Sequence, residues 1–279
     1  MTSGARGCPA SGAVLGRAYE LGDRPALIEI GGGGVLGGRT LATTVVRAAS
    51  GLLRCGVFPG YTAGVYVDTV TAHLLATWPV LAAGGTAATL PAAAPAEWLT
   101  RRLTRCDARM LITTPRLAAT ALRLADRSRV RRVVVIGSDP VPETCAYAEL
   151  LTGPGEPAVP GPGSVPLRDP AAHPALLTVE GPLSRAELVA GGPASGFALG
   201  ELGEKDVLLA TWPLDGGAAV TALLTAALTR GTLIVAAPGL PAAKLPGALH
   251  DHGVTVAALT EPIPAEHSRP GLRTLLRPR

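Results

Sequence analysis

The chain has 279 residues, 47% of them hydrophobic and 16% charged, enough apolar material for one or two buried cores and too much for a wholly disordered chain. Its 35 glycines and 26 prolines follow no collagen period, and its four cysteines, Cys8, Cys55, Cys106 and Cys145, form no CxxC pair, which argues against a zinc site or a disulfide scaffold. The net charge of +4 conceals ten arginines set against only Asp107 and Asp126 between Arg101 and Arg132, a segment suited to an acidic partner.

The predicted elements alternate. Ala26–Ile30 and Val35–Leu36 around Gly31–Gly34 read as a hairpin. Leu41, Val45, Ala48, Ala49 and Leu52 recur at helical spacing, which predicts an amphipathic helix capped by Thr40, running to Cys55 and stopped by Gly56. A strand at Gly64–Val67, a helix from Val70 to Ala83, a strand at Ala87–Leu90, a helix from Pro95 to Cys106 and a strand at Met110–Ile112 follow. A helix from Pro115 to Arg127 and a strand at Val133–Ile136 close the series. Between Gly153 and Pro174 seven prolines interrupt the pattern, as a linker or long surface loop does. Alternation then resumes: strands at Ala175–Val179, Val207–Thr211, Thr232–Ala236 and Val254–Leu259, and helices at Ser184–Ala190, Gly217–Thr229 and Pro241–His252. Leu272–Leu276 begins another element. Strands that alternate with helices imply an α/β fold of mostly parallel sheet flanked by helices. The expected division is a first unit over 1–152, a linker over 153–174 and a second unit over 175–279.

Familiar catalytic signatures are missing. Gly32-x-Gly34-x-x-Gly37 matches a dinucleotide fingerprint in form, but no acidic residue follows at the required distance, and the glycines suit a hairpin turn. No GxxxxGK[ST], HExxH or GxSxG motif occurs. His250 and His252, two apart on a helix, point in different directions and suit a polar helix end better than a metal. Cys106 and Cys145 have no neighbouring histidine and read as incidental thiols. The uncharged run Leu74–Ala96 is broken by Pro79, Gly84, Gly85, Pro91 and Pro95, so no membrane span is expected. The N-terminal residues do not resemble a secretory signal, and a reducing cytoplasm is the expected location. The arginine segment lacks interleaved aromatics, so nucleic acid is not an expected partner.

The order of the elements resembles the AMP-forming adenylating enzymes, the superfamily of acyl-CoA synthetases and peptide-synthetase adenylation domains. GDRPALI (Gly22–Ile28), RTLATTVVRAASGLLRCGVFPG (Arg39–Gly60), GVYVDTVTAHLLATWPVLAAGGTAATLP (Gly64–Pro91) and CDARMLIT (Cys106–Thr113) are similar to successive scaffold segments of that family, and the likeness extends from about Arg17 to Leu276. HPALLTVEGPLSRAELVA (His173–Ala190) resembles the segment that carries the family's Ser/Thr/Gly-rich phosphate loop, with the loop itself deleted. Thr178, Gly181 and Ser184 stand as its remnant, and Glu180 would repel a triphosphate. Trp212–Gly217 corresponds to a pocket-shaping turn without the usual aromatic and histidine. Against the family pattern the chain stops before the later nucleotide-binding motifs and the domain with the catalytic lysine.

The resemblance thus implies a truncated, degenerate AMP-dependent synthetase/ligase-like protein, a pseudoenzyme that binds or scaffolds in a biosynthetic pathway. Its alternative is a carboxylate-adenylating or acyl-CoA ligase activity completed by a partner chain. No catalytic, metal or cofactor residue is expected on the first reading, and ATP or AMP with Mg only on the second. A sheet ending at Val254–Leu259 would leave an apolar face, around Leu223, Leu224, Leu233, Val235, Val256 and Leu259, for a homodimer or protein partner.

Overall fold

The computed structural model describes residues 9–32, 34–139, 141–153, 174–190, 202–262 and 271–276. The N-terminal half contributes α1 (Pro9–Glu20), β1 (Pro25–Glu29), β2 (Gly34–Gly37), α2 (Gly38–Arg54), β3 (Thr62–Tyr66), α3 (Val70–Ala82), β4 (Thr86–Thr89), α4 (Ala96–Arg105), β5 (Met110–Thr113), α5 (Ala118–Asp126), β6 (Arg132–Val135), β7 (Cys145–Ala146) and α6 (Tyr147–Leu151). Then come β8 (Leu176–Leu177), β9 (Pro182–Leu183), α7 (Arg185–Ala190), β10 (Val207–Ala210), α8 (Ala218–Arg230), β11 (Leu233–Ala236), α9 (Leu245–Asp251), β12 (Val256–Leu259) and β13 (Arg273–Leu276). The 3-10 turns Pro115–Leu117 and Ala242–Lys244 lead into α5 and α9.

The strands form two mostly parallel sheets, the first in the order β13-β12-β10-β11-β1-β2 and the second in the order β7-β6-β5-β3-β4-β8-β9. Alternation along the strands fixes the layering. Leu208, Ile234 and Val256 of the first sheet share one core with Val65, Met110, Ile112 and Val134 of the second, packed against α1, α2, α3 and α8. The neighbouring Leu209, Val235 and Ala257 turn to the opposite face, under α9. Leu111 and Val133 likewise turn outward, beneath Leu99, Leu103 and Leu124 of α4 and α5. Helices therefore lie between the two sheets and on both outer faces, as side chains of period two in buried parallel strands require.

The expected division into 1–152 and 175–279 does not coincide with the sheets. β1 pairs in parallel with β11, Leu27 opposite Ile234, so the N-terminal hairpin belongs to the sheet built by the C-terminal half. In exchange, β8 pairs with β4, Ala87 opposite Leu176. The greater part of the linker lies outside the described residues. The expected uncovered face is also corrected: β12 is not an edge, because β13 pairs along its whole length from Val256–Arg273 to Leu259–Leu276. Leu223, Leu224, Val235, Val256 and Leu259 are buried within the chain itself, and Leu233 is half-buried.

The predicted hairpin, strands and long helices are present. The amphipathic helix begins at Gly38, before Thr40, with the extended Gly37 as its N-cap. A side chain at Gly38 would collide with Ala18 O and Leu21 Cβ, so the close approach of α1 sets this start. Gly31, Gly32 and Gly34 have φ of +99°, +136° and +70°, the left-handed geometry that makes the glycines necessary to the turn.

One buried carboxylate joins the two sheets. Glu29, at the end of β1 and only 7% exposed, accepts hydrogen bonds from the amides of Val70 (2.6 Å) and Thr71 (3.0 Å) and from the Thr71 hydroxyl (2.5 Å). These are unpaired donors of the first turn of α3, where negative charge also meets the positive end of the helix dipole. Glu29→Ala removes the acceptor from a buried helix end, and a loss of about 2 kcal/mol in unfolding free energy is expected. Urea denaturation followed by circular dichroism measures it, with Glu29→Gln falling between the two proteins.

Candidate functional site

In parallel α/β sheets, ligands bind beyond the carboxyl ends of the strands. Here the carboxyl ends of β4 and β8 in the second sheet and of β10 in the first converge on the loop Pro213–Gly217, which leads into α8. The β8–β9 hairpin is closed by a four-residue turn, Thr178–Gly181. The Thr178 amide donates to Gly181 O at 2.9 Å, the Gly181 amide returns a bond to Thr178 O at 3.2 Å, and the Thr178 hydroxyl donates to Gly181 O at 2.9 Å. Gly181 has φ +141°, which the turn requires. The Val179 amide donates to Gly216 O at 3.1 Å and the Thr89 hydroxyl to the same oxygen at 2.7 Å, so turn and loop are fastened together. Arg102 donates to Thr178 O from outside.

The turn's acidic residue has a definite partner. Glu180 accepts the Ala218 amide at 3.0 Å, and Asp215 accepts the Gly217 amide at 3.1 Å. Two carboxylates thus occupy the N-terminus of α8, the position that attracts anions through its unpaired amides and dipole. Of the expected remnant of a phosphate loop, the structure brings Thr178 and Gly181 together in the turn. Ser184 is placed beyond β9, where its hydroxyl accepts the Glu187 amide at 3.2 Å and its own amide donates to the Glu187 carboxylate at 2.8 Å. That reciprocal pair caps α7 and holds the Glu187 carboxyl below the usual carboxylate range.

Behind the loop is a small cavity of about 10 Å³, lined by Val65, His73, Thr89, Leu90, Asp215 and Val220 among others, room for about one water molecule. His73 of α3 shares a 2.8 Å hydrogen bond with Thr221 of α8. Burial alone pushes its pKa down to about 4, so the imidazole is neutral, and nothing in the sequence motifs marked it. A second, wider cavity of about 270 Å³ lies at the carboxyl ends of β10 and β12, lined by Thr211, Leu240, Leu245, Leu259, Thr260 and Glu261 among others. The Thr211 hydroxyl is committed to Ala258 O at 2.8 Å. Trp212 is buried and donates its indole N–H to Leu259 O at 2.9 Å.

The second sheet has its own switch point, since β4 and β5 flank β3 on opposite sides. Asp68, just past β3, fills that crevice by accepting from the Thr114 hydroxyl at 2.5 Å and pairing with Arg116. Burial opposes its ionisation, yet the Thr114 and Arg116 hydrogen bonds outweigh it and hold the carboxyl below its ordinary value. Cys55, Cys106 and Cys145 are half-buried thiols, and burial raises the Cys106 thiol. His250 and Asp251 end α9 with His252 as its C-cap. Among the described residues no cluster of three or more His, Cys, Asp or Glu could hold a metal, and no helix is long and apolar enough to cross a membrane.

Two sheets with helices between and outside them, with strand ends meeting at one loop, form the N-terminal architecture of acyl-adenylating enzymes. The AMP-binding enzyme family matches residues 16–178, more than half of the sequence, and the chain belongs to that family. The fold is similar to a long-chain-fatty-acid-CoA ligase from Archaeoglobus fulgidus, with TM-score 0.73 and 18% identity over 90% of this chain and 51% of the other. It is similar to a red-emitting luciferase from Phrixothrix hirtus, with TM-score 0.78 and 14% identity over 90% and 50%. MbtA from Mycobacterium smegmatis gives TM-score 0.72 and 24% identity over 90% and 47%. At these identities the likeness establishes the fold, and the chain spans about half the length of these structures. No curated protein sequence matches it.

The His73 pKa makes stability depend on pH in a defined direction. The folded value lies near 4 and the unfolded value near 6.5, so the unfolded chain binds the proton first. The neutral histidine's contribution is complete above about pH 6.5 and declines as pH falls toward 4, to a total of about 3 kcal/mol. Urea midpoints at pH 7 and pH 5 are expected to differ more for this protein than for His73→Gln.

Proposed function

We propose that this chain is a binding or scaffolding homologue of the AMP-forming ligases, serving a biosynthetic pathway without transferring adenylate itself. A single observation carries the reading: where a family member presents a loop of amides and hydroxyls to nucleotide phosphates, this chain has the turn Thr178–Gly181, and its Glu180 carboxylate accepts the first amide of α8. Phosphate binding at such a position depends on free amides and positive potential. A carboxylate there takes up the Ala218 amide and repels a triphosphate. Adenylation further needs a preorganised group to neutralise charge developing on the phosphates, and the guanidinium at this turn, Arg102, is given to Thr178 O.

Titration calorimetry of the chain with MgATP and with an acyl-AMP analogue, alongside carboxylate-dependent pyrophosphate exchange over a panel of acids, tests the reading. The expected result is no exchange above a protein-free control and no saturable ATP heat at concentrations up to about 1 mM, near the upper end of ordinary substrate affinities. Exchange with any acid, or ATP binding in that range that Glu180→Gln strengthens, overturns it in favour of an adenylating enzyme.

A further inference from the structure

We propose that the strand-start end of the second sheet, remote from the loop Pro213–Gly217, docks an acidic protein segment, with Phe58 as the apolar anchor and Arg109, Arg129, Arg131 and Arg132 receiving its carboxylates. The α4–β5 and α5–β6 connections both fall at this end. The Arg109 amide bonds to Thr62 O at 3.2 Å and the Arg131 amide to Arg109 O at 2.8 Å, which lines up the starts of β3, β5 and β6. Phe58, on the loop entering β3, is 59% exposed and meets Tyr61 edge-on at 6.0 Å between ring centroids. Burial raises the pKa of the Tyr61 hydroxyl while the charges of Arg132 and Arg109 lower it, so these two guanidiniums are within electrostatic reach of Tyr61.

The surface already shows what its guanidiniums accept. The Asp107 carboxylate pairs with Arg109 and Arg129, each at 3.0 Å, and these hydrogen bonds hold its pKa below the ordinary value. Asp107 has φ +50°, left-handed backbone that places it between them. Among the described residues, Arg131 is exposed, Arg132 is half-buried, and neither makes an ion pair or a side-chain hydrogen bond. Arg105 and Arg127 end α4 and α5 at the same rim, with Asp126 the other acid nearby. The charge is carried by arginines, whose planar fork pairs with carboxylates bidentately, around one apolar ring.

That combination favours an acidic protein segment. A single-stranded nucleic acid takes successive stacking platforms, and here Phe58 is exposed while Tyr61 is half-buried and set edge-on to it. A bilayer surface takes several apolar side chains or a second anchor, and Phe58 with the half-buried Tyr61 beside it supplies neither. An acidic segment bearing one apolar side chain matches both the excess positive charge and the central ring, in the pattern of a buried anchor with a charged rim.

Fluorescence anisotropy on the full chain tests this with a labelled peptide of glutamates flanking one leucine. Comparison probes are a polyglutamate lacking the leucine, oligothymidine and phosphatidylserine vesicles. Expected are saturable binding of the leucine peptide, weakening as salt is raised, and a loss of about tenfold or more on Phe58→Ser and on the double change Arg131→Glu with Arg132→Glu. If either variant unfolds, Phe58→Ala and Arg129→Ala replace them with the same expectation. Absence of saturable binding, binding that either change leaves intact, or tighter binding of oligothymidine or vesicles than of the peptide overturns the proposal. ATP binding and exchange do not depend on this surface, so its failure is separate from failure of the reading given for the turn at Thr178–Gly181.

Discussion

The carboxylate of Glu29 belongs to a strand of the first sheet, yet its hydrogen bonds end on a helix that connects two strands of the second. Glu180 does the converse, rising from a hairpin of the second sheet to the helix between β10 and β11 of the first. The two sheets are thus joined by a reciprocal pair of helix caps, and His73 and Thr221 add a third link directly between α3 and α8. Apolar packing of α1, α2, α3 and α8 supplies the bulk of the attraction, but it is non-directional. The caps are directional, since an amide at a buried helix end has few acceptors to choose from. They set how the sheets meet, and with that where the strand ends converge.

The same geometry puts a carboxylate of the chain itself at a helix terminus of the kind that attracts anions. The turn between β8 and β9 is four residues long, and the amides of Thr178, Val179 and Gly181 are given to Gly181, Gly216 and Thr178. Its one charged side chain accepts the Ala218 amide at the start of α8. Stabilising the junction between the sheets and receiving a phosphate are competing uses of that amide, and this sequence realises the first.

Much of the fold was legible because the signals were local. Short continuous apolar runs such as Met110–Ile112 and Val254–Leu259, and the helical spacing of Leu41, Val45 and Leu52, report burial directly. Gly56 and the glycines after Ile30 mark sharp turns for the steric reason already given. What escaped was set by distant partners. α1 carries little amphipathic pattern and is held by packing on α2 and α8. β7, β9 and α6 are too short to show a period. The sharing of strands between the sheets is invisible to any local reading, since nothing in Ala26–Ile28 says that its neighbour is Ile234–Val235. Of the candidate site, the charge of Glu180 was evident in the sequence, whereas its hydrogen bond to Ala218 was not. His73 and Asp68 went unnoticed because burial and Arg116, rather than a motif, determine their chemistry.

The exchange of strands between the two halves also sets an order of assembly. The second sheet, from β3 to β7, is built from neighbours in sequence and needs little chain to close its contacts. The first sheet waits for β1 to find β11, a pairing between Leu27 and Ile234 across about 200 intervening residues, with the slow loop closure that such separation entails. During synthesis the pairing edge of β1 and the face of α1 that packs on α8 therefore emerge long before β11 and α8 exist. In that interval the chain carries an open strand beside an uncovered helix, the arrangement that chaperones recognise and that aggregation exploits.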